Sequence, residues 1–178
     1  IAPPRVGMTT SNNDRFLRLW HEVNLGRIGF GKQSRDEARE SGRRWFPYNK
    51  GGEFRKWFGN NDYLVDWGAD GQRIRECGRA YIRSQDYYFL QGITWTDVSS
   101  SRFGVRYAPS GFLFDASGNK CFPKPEDELY VLSFLCSKLA FELLKIENPT
   151  LHFQVGNVAS LPLLFPSSPA VRSRIEAL

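Results

Sequence analysis

The sequence has few of the residues from which metal and redox sites are built. It contains two histidines, His21 and His152, and three cysteines that lie far apart and form no CxxC pair. Zinc sites need clustered ligands at short spacings, and disulfide frameworks are typical of secreted proteins. We therefore expect no metal site, and we expect Cys77, Cys121 and Cys136 to be reduced structural residues of a cytosolic protein.

The chain also lacks a long apolar run. A membrane-spanning helix needs about 20 consecutive apolar residues, and no segment of the sequence approaches that length. The opening IAPPRVGM has no basic segment followed by an apolar one, so no secretory signal is indicated. Because the chain opens on Ile1, we interpret it as a fragment of a longer protein. Its 178 residues suit one domain with a core, so we predict a single domain over residues 1–178.

Complete catalytic motifs are missing as well. With two histidines and no nucleophile elbow, no Ser-His-Asp or Cys-His set is indicated. Gly26 and Gly31–Lys32 have the spacing of a phosphate-binding loop, but Gln33 stands where that loop has Ser or Thr. Pro3–Pro4 and Asn148–Pro149 each match part of the Asn-Pro-Pro-aromatic motif of amino-methyltransferases, and neither is complete. We therefore predict that this chain alone is not catalytic and holds no cofactor.

Positive charge is concentrated in the first half of the chain. Residues 1–90 hold 16 Lys and Arg against 11 Asp and Glu, whereas residues 91–178 hold 8 of each, so the whole net charge of +5 lies in the first half. An uneven basic excess of this kind favours a polyanionic partner.

Residues 91–122, QGITWTDVSSSRFGVRYAPSGFLFDASGNKCF, are the segment around which we expect the fold to be organised. Apolar residues alternate with polar or small ones on both sides of a serine-rich turn, a pattern typical of half-buried strands. A third strand is predicted at Phe112–Phe114, before the turn residues Asp115–Asn119. We expect an antiparallel sheet with one solvent-exposed face. That face would present Thr94, Thr96, Arg102 and Arg106.

Other segments complete the predicted fold. Tyr63–Trp67 is predicted to be a strand, and the alternation of Leu151, Phe153 and Val155 predicts another. The apolar run Leu129–Ile146 predicts one long buried helix near the C-terminus. Together these patterns predict an α+β fold with a mixed, mainly antiparallel sheet and packed helices.

Two basic segments have two interpretations each. In Trp45–Trp57, five aromatic residues are interleaved with cations, which is typical of nucleic-acid binding and is also compatible with a core edged by solvated charges. Arg75, Arg79 and Arg83 fall at i, i+4 and i+8, so a helix there would carry a basic stripe, either for a polyanion or as an ordinary solvated face.

Four stretches of the sequence, taken together, resemble one protein family. In chain order they are TTSNNDRFLRLW, RRWFPYNKGGEFRKWFGNNDYLVDW, YYFLQGITWTDVSSSRFGVRYAPSGFLFD and NPTLHFQVGNVASLPL. They closely resemble the C-terminal target-recognition region of adenine-specific DNA methyltransferases of the PglX type. These enzymes belong to BREX phage-defence systems and are related to the fused restriction-methylation enzymes. The resemblance extends over residues 7–165.

The resemblance implies a function in recognising DNA. Such a domain reads a short sequence in double-stranded DNA so that an N-terminal methyltransferase domain of the same parent chain can flip an adenine and methylate its N6 atom. S-adenosylmethionine is then a cofactor of the parent protein and not of this chain. The resemblance also implies a cytoplasmic location in a bacterium or archaeon, with no membrane partner, and a mixed α/β recognition domain that grips the major groove.

Within this interpretation, lysines and arginines would bind phosphates and give affinity, while other polar side chains would reach base edges. The phosphate-binding candidates are Arg43, Arg44, Lys50, Arg55, Lys56, Arg75 and Arg79. The base-reading candidates are Asn12, Asn13, Ser100, Ser101, Arg102 and Arg106. The alternative hypothesis is an aromatic-rich β module that binds carbohydrate or protein through Trp45, Trp57 and Trp95.

Overall fold

The computed structural model describes residues 3–99, 102–150 and 152–165, and within these ranges the chain forms seven β-strands and six α-helices. The strands are β1 (Leu17–Leu19), β2 (Trp45–Asn49), β3 (Tyr63–Asp66), β4 (Gly92–Trp95), β5 (Val105–Ala108), β6 (Leu113–Phe114) and β7 (Lys120–Cys121). The helices are α1 (Asn13–Phe16), α2 (Arg35–Glu40), α3 (Gly68–Glu76), α4 (Glu128–Leu135), α5 (Lys138–Glu147) and α6 (Val155–Ser160). Short 3₁₀ turns lie at Trp20–Glu22, Leu25–Arg27, Gln85–Tyr87 and Pro125–Asp127.

The first sheet has four strands in the order β1-β3-β2-β6. β1 and β2 both pair antiparallel with β3, and β6 pairs with β2 in parallel. All five residues of β2 are buried, because its aromatic side chains contribute to cores on both faces of the sheet. The larger of these cores contains Met8, Phe16, Phe46, Tyr48, Val65, Trp67, Phe89 and Phe114 among its buried members.

The second sheet has three antiparallel strands in the order β5-β4-β7. Ile93 and Trp95 of β4 and Val105 of β5 belong to a second buried cluster, which includes Leu135 of α4 and Leu144 of α5. The period-two alternation therefore predicted β4 and β5 correctly, and an α+β fold with mixed and antiparallel sheets is confirmed. The expectation of one domain stays a prediction.

The expected solvent-exposed face of this second sheet is wrong. Thr94, Thr96 and Arg106 are only 2%, 6% and 1% exposed, and Arg102, which is exposed, lies outside the strands. Residues 50–57 account for the difference, because Gly52 bonds to Thr96 and Trp57 forms a bridge with Arg106 at the edge of β5. The predicted third strand also lies elsewhere. β6 joins the first sheet, and β7 takes the place beside β4.

The predicted long C-terminal helix is two helices. α4 ends at Leu135 and α5 begins at Lys138. Between them Ser137 has an extended backbone (φ −75°, ψ 156°), and its hydroxyl accepts a hydrogen bond from the Ala140 N–H at 3.1 Å. Serine is a favoured N-cap, so a new helix starts where the apolar pattern predicted continuity. Ile146 of α5 is 81% exposed, which also contradicts burial along the whole run.

Two further predictions fail for local reasons. The basic stripe does not form, because α3 ends at Glu76 and leaves Arg79 and Arg83 beyond it. No strand runs through Leu151, Phe153 and Val155 as predicted: Leu151 lies outside the described residues, His152 forms a single bridge with Val98, and α6 begins at Val155. Phe153 is buried. The strand predicted at residues 63–67 is confirmed as β3.

Candidate nucleic-acid interface

Four arginines from three chain segments come together beside Trp45. They line two surface depressions of about 260 Å³ each, which share Arg27 and Arg44. The first depression is also lined by Arg43, and the second by Arg18. We call this set, consisting of Arg18, Arg27, Arg43 and Arg44, the arginine cluster.

Backbone pairing brings these segments together. The N–H of Arg44 donates to the carbonyl of Arg27 at 3.4 Å, and the N–H of Gly29 donates to the carbonyl of Trp45 at 2.8 Å. The turn that carries Arg27 therefore runs beside the start of β2. Arg18 reaches the same place from β1, and its guanidinium carbon lies 5.7 Å from the centre of the Trp45 ring. That of Arg44 lies 5.1 Å from the same ring, so Trp45 orients both cations.

Most of the positive charge in the arginine cluster is not neutralised. Arg44 binds the buried carboxylate of Asp66 at 2.8 Å, and Arg73 binds the same carboxylate at 3.1 Å. In the described part of the chain, no ion pair involves the other three arginines of the cluster, and Glu22 is the one acidic residue that lines the two depressions. Arg27 and Arg43 are exposed. The cluster is therefore open to an anionic ligand.

A second basic surface is the loop of residues 50–60. Phe54, Trp57 and Phe58 are 39%, 50% and 60% exposed, whereas Trp45, Phe46 and Tyr48 just before them are buried. The interpretation as core therefore holds for the first half of this aromatic segment, whereas its second half is exposed and nucleic-acid binding there stays a prediction. The Nζ atom of Lys56 lies 5.9 Å from the centre of the Trp57 ring, and Arg55 is exposed. Stacking faces and cations therefore alternate along this loop.

The loop is held to the second sheet at both ends. The Gly52 N–H donates to the Thr96 hydroxyl at 3.3 Å, and that hydroxyl donates to the Gly52 carbonyl at 3.2 Å. At the other end the Trp57 N–H donates to the Val105 carbonyl at 2.9 Å, and the Tyr107 N–H donates to the Trp57 carbonyl at 2.8 Å. Trp57 has a φ of 73°, an uncommon conformation for a bulky residue, which these two bonds maintain.

Gly104 lets the loop approach β5 closely. A Cβ atom at this position would lie 3.0 Å from the carbonyl oxygen of Arg55 and 3.4 Å from the Phe54 ring. A larger residue at this position would therefore fit only if the loop shifted outward by a few tenths of an ångström.

A row of buried polar side chains crosses the second sheet beneath this loop. Arg106, Thr94 and Lys120 are paired across β5, β4 and β7, so they share one face. Arg106 donates from Nη1 to the Thr96 hydroxyl and to the Gly104 carbonyl, each at 3.2 Å. Lys120 donates to the Leu90 carbonyl at 2.6 Å. Burial lowers the pKa of Arg106 to about 10 and that of Lys120 to about 7.

The structure distributes the predicted phosphate-binding residues over several places. Arg43 and Arg44 lie in the arginine cluster, and Arg55 and Lys56 lie on the exposed loop. The remaining three are arranged as follows. Lys50 faces Asp115 at 3.7 Å, Arg75 binds Asp70 and Gln85, and Arg79 is exposed beyond α3.

The base-reading candidates are likewise scattered. Asn12 caps α1 through its side-chain oxygen, which accepts from the Arg15 N–H at 3.1 Å, and Asn13 accepts from the Thr10 hydroxyl. Arg102 is exposed above the Phe54 ring, with 5.8 Å between the guanidinium carbon and the ring centre. Ser100 and Ser101 lie outside the described residues. Arg106 is buried, so its guanidinium group is not exposed to a ligand.

Sequence reasoning missed Arg18 and Arg27 altogether. They stand singly in the sequence, and only the pairing of β1 and of residues 25–29 with the first sheet brings them to Arg43 and Arg44. The structure also weakens the alternative hypothesis of a β module that binds carbohydrate or protein through three tryptophans. Trp45 and Trp95 are 6% and 0% exposed, and of the three only Trp57 presents its ring.

The described residues include neither a helix that could span a membrane nor a group of metal ligands. No helix in the described ranges is long and apolar enough to cross a membrane. Residues 3–99, 102–150 and 152–165 also contain no group of three or more His, Cys, Asp or Glu side chains that could hold a metal ion.

Fold and surface together define an α+β protein with two sheets, an open arginine cluster and an exposed loop of aromatic and cationic residues. No protein-family model matches the chain. It is 41% identical over its whole length to part of the adenine-specific methyltransferase PglX of Lacticaseibacillus casei (strain Zhang). Over 88% of its length it is 39% identical to part of the adenine-specific methyltransferase BrxX of Escherichia coli O9:H4 (strain HS). The chain spans 15% and 12% of these two relatives, so the resemblance to PglX-type methyltransferases is confirmed for a small region of such proteins.

Proposed function

We propose that this chain is the DNA-recognition part of an adenine-specific DNA methyltransferase, and that it binds double-stranded DNA without catalysing methyl transfer itself. The observation that carries the proposal is the arginine cluster, in which three of four guanidinium groups have no carboxylate partner in the described part of the chain. The similarity to PglX and BrxX supports the choice of DNA as the polyanion.

The chemistry of the cluster suits phosphate better than other anions. Guanidinium groups offer planar pairs of N–H donors that match two phosphate oxygens, and they remain charged at any physiological pH. Arginines approaching from three segments can contact successive phosphates of one strand. Contacts of this kind set affinity and register, and they carry no sequence information.

Other exposed polar residues would then recognise the DNA sequence. Arg102, Asn12 and Asn13 are on the surface and keep this role as a prediction. Arginine can bind the O6 and N7 atoms of guanine, and asparagine the N6 and N7 atoms of adenine. Methylation of adenine N6 with S-adenosylmethionine, and a role in phage defence, are proposed for the parent protein on the similarity to PglX and BrxX.

A salt titration of duplex binding tests the proposal. We expect the affinity of the chain for a 20-base-pair duplex to fall linearly on a logarithmic salt scale, because bound phosphates release counterions. The double variant Arg27→Gln/Arg43→Gln should bind all duplex sequences more weakly and lower the salt slope by about 2, one for each lost phosphate contact.

Arg83→Gln serves as the matched control, since Arg83 is exposed and lies outside the cluster. Arg55→Gln/Lys56→Gln measures the contribution of the loop in the same assay. An unchanged slope in Arg27→Gln/Arg43→Gln would remove the cluster from the interface. No duplex binding by the original chain at low salt would reject the proposed function.

A further inference from the structure

A groove of about 470 Å³ opens between the loop of residues 50–60 and the start of α5. Its size falls within the range of about 300–1,000 Å³ that is usual for small-ligand sites. Its walls combine three phenylalanines with three cations. These residues are Phe54, Phe103, Phe141, Lys56, Arg102 and Lys138.

The aromatic floor of the groove is firmly packed. Phe103 is 4% exposed, and its ring centre lies 4.8 Å from that of Phe153, which in turn lies 6.3 Å from that of Phe141. Phe54 forms the outer wall and is 39% exposed. A flat ring entering the groove would therefore meet preformed aromatic surface on the floor and a more open ring at the side.

The cations at the rim are available to a ligand. Lys56, Arg102 and Lys138 are exposed, and no ion pair involves any of them within the described ranges. Glu142, the one acidic residue that lines the groove in the described part of the chain, is bound to Lys145 at 2.9 Å. The N-terminus of α5 adds partial positive charge at the same edge. The groove thus combines an apolar floor with a net positive rim.

We propose that this groove binds a single nucleotide that has left the base stack, with its base against the phenylalanines and its phosphate beside Lys56 and Lys138. The inference rests on the proposed function, because DNA supplies the nucleotide. Stacking of a base on aromatic side chains does not depend strongly on base identity, so the groove would hold an unpaired nucleotide of any sequence. A fully paired duplex presents phosphates but no free base face.

Fluorescence anisotropy with three labelled duplexes tests this inference. The first duplex is fully paired, the second carries one extra unpaired nucleotide, and the third carries an abasic unit at that unpaired position. We expect the chain to bind the second duplex about tenfold more tightly than the first, and the third no more tightly than the first. Lys138→Gln should remove most of this preference and leave the affinity for the paired duplex unchanged. Phe54→Ala should lower the ratio of the affinities for the second and first duplexes in the same way.

Matched controls are Phe58→Ala, which removes an exposed ring of the same loop outside the groove, and Lys124→Gln, which removes an exposed cation elsewhere. Circular dichroism confirms that each variant is folded. Equal binding of all three duplexes by the original chain would overturn the groove proposal and leave the proposed function standing. Binding of the unpaired nucleotide without any binding of the paired duplex would reject the proposed function and support the groove.

Discussion

The Nη1 atom of Arg106 donates a hydrogen bond to the hydroxyl of Thr96 at 3.2 Å inside the protein. The same hydroxyl exchanges two hydrogen bonds with the backbone of Gly52, at the start of the exposed loop. A buried arginine of the second sheet and a surface loop therefore share one threonine. Among the described residues, the Nε and Nη2 atoms of Arg106 have no hydrogen-bond partner, so Thr96 is one of the few groups there that hold this guanidinium in place.

Replacing Thr96 with valine should destabilise the protein. The substitution keeps the shape of the side chain, and it removes one acceptor from the buried Arg106 and both bonds to Gly52. Loss of partners for buried polar groups costs about 1–3 kcal/mol of unfolding free energy. Urea denaturation measures the difference directly.

The coupling between the two residues can be measured with a double-mutant cycle. In an Arg106→Met background no buried guanidinium remains to be satisfied, so Thr96→Val should cost about 0.5–3 kcal/mol less than in the original chain. Equal costs in the two backgrounds would show that Thr96 acts on the loop alone.

Lys120 should make stability rise with pH above neutrality. Burial lowers the pKa of Lys120 from its ordinary 10.5 to about 7, with Cys121 and Glu128 as the charged or titratable neighbours that oppose this shift. Above pH 7 the folded protein therefore holds one proton fewer at this site than the unfolded chain, so the free energy of unfolding increases with pH. The expected slope is up to about 1.4 kcal/mol per pH unit.

The pH range over which the free energy of unfolding rises has an upper limit. Burial raises the pKa of Cys121 from its ordinary 9.0 to about 12, so near pH 9 the unfolded chain starts to lose a proton that the folded protein keeps. This loss offsets the extra proton that the unfolded chain holds at Lys120, and the rise levels off. Denaturation midpoints at pH 7.0, 7.5, 8.0 and 8.5 follow the rise. In Lys120→Met the rise should be absent, and a rise that persists in this variant would assign it to another group.

The pattern of the second sheet shows what could be predicted from sequence. Alternating apolar residues located β4 and β5, because one face of each strand packs on a core. The opposite face contains Thr94, Thr96 and Arg106, and nothing in these residue types distinguishes a face that meets water from one covered by a loop 44 residues earlier in the chain. Long-range cover of this kind has no local signal.

The same limit applies to the candidate site. Arg43 and Arg44 are adjacent in the sequence and were predicted to bind phosphate, whereas Arg18 and Arg27 join them only through strand pairing. The break between α4 and α5 was easier to predict from the sequence, because Ser137 interrupts the apolar run with a residue that commonly starts a helix. A favoured N-cap residue inside an apolar run therefore argues against one continuous helix.

Gly104→Ala tests the close approach of the loop to β5. The new Cβ would lie 3.0 Å from the Arg55 carbonyl, so the loop must move outward at a cost of about 1–3 kcal/mol in stability. Gly156→Ala is the control, since nothing lies within 4 Å of a Cβ there and alanine favours the helix α6. Urea denaturation should show destabilisation for the first variant and a small stabilisation for the second. A neutral Gly104→Ala variant would mean that the loop adjusts freely.

Asp66→Asn separates the stability of the arginine cluster from its affinity for DNA. The Asp66 side chain is 1% exposed and binds both Arg44 and Arg73, so replacing its carboxylate with an amide should lower the unfolding free energy by about 1–3 kcal/mol. The substitution also removes the negative charge that neutralises Arg44. Duplex affinity at low salt should therefore increase, because a polyanion meets one more uncompensated cation. Anisotropy titrations under conditions where the variant is fully folded measure this change. A lower affinity would mean that Asp66 holds Arg44 in the orientation that phosphate requires, and that orientation contributes more to binding than net charge.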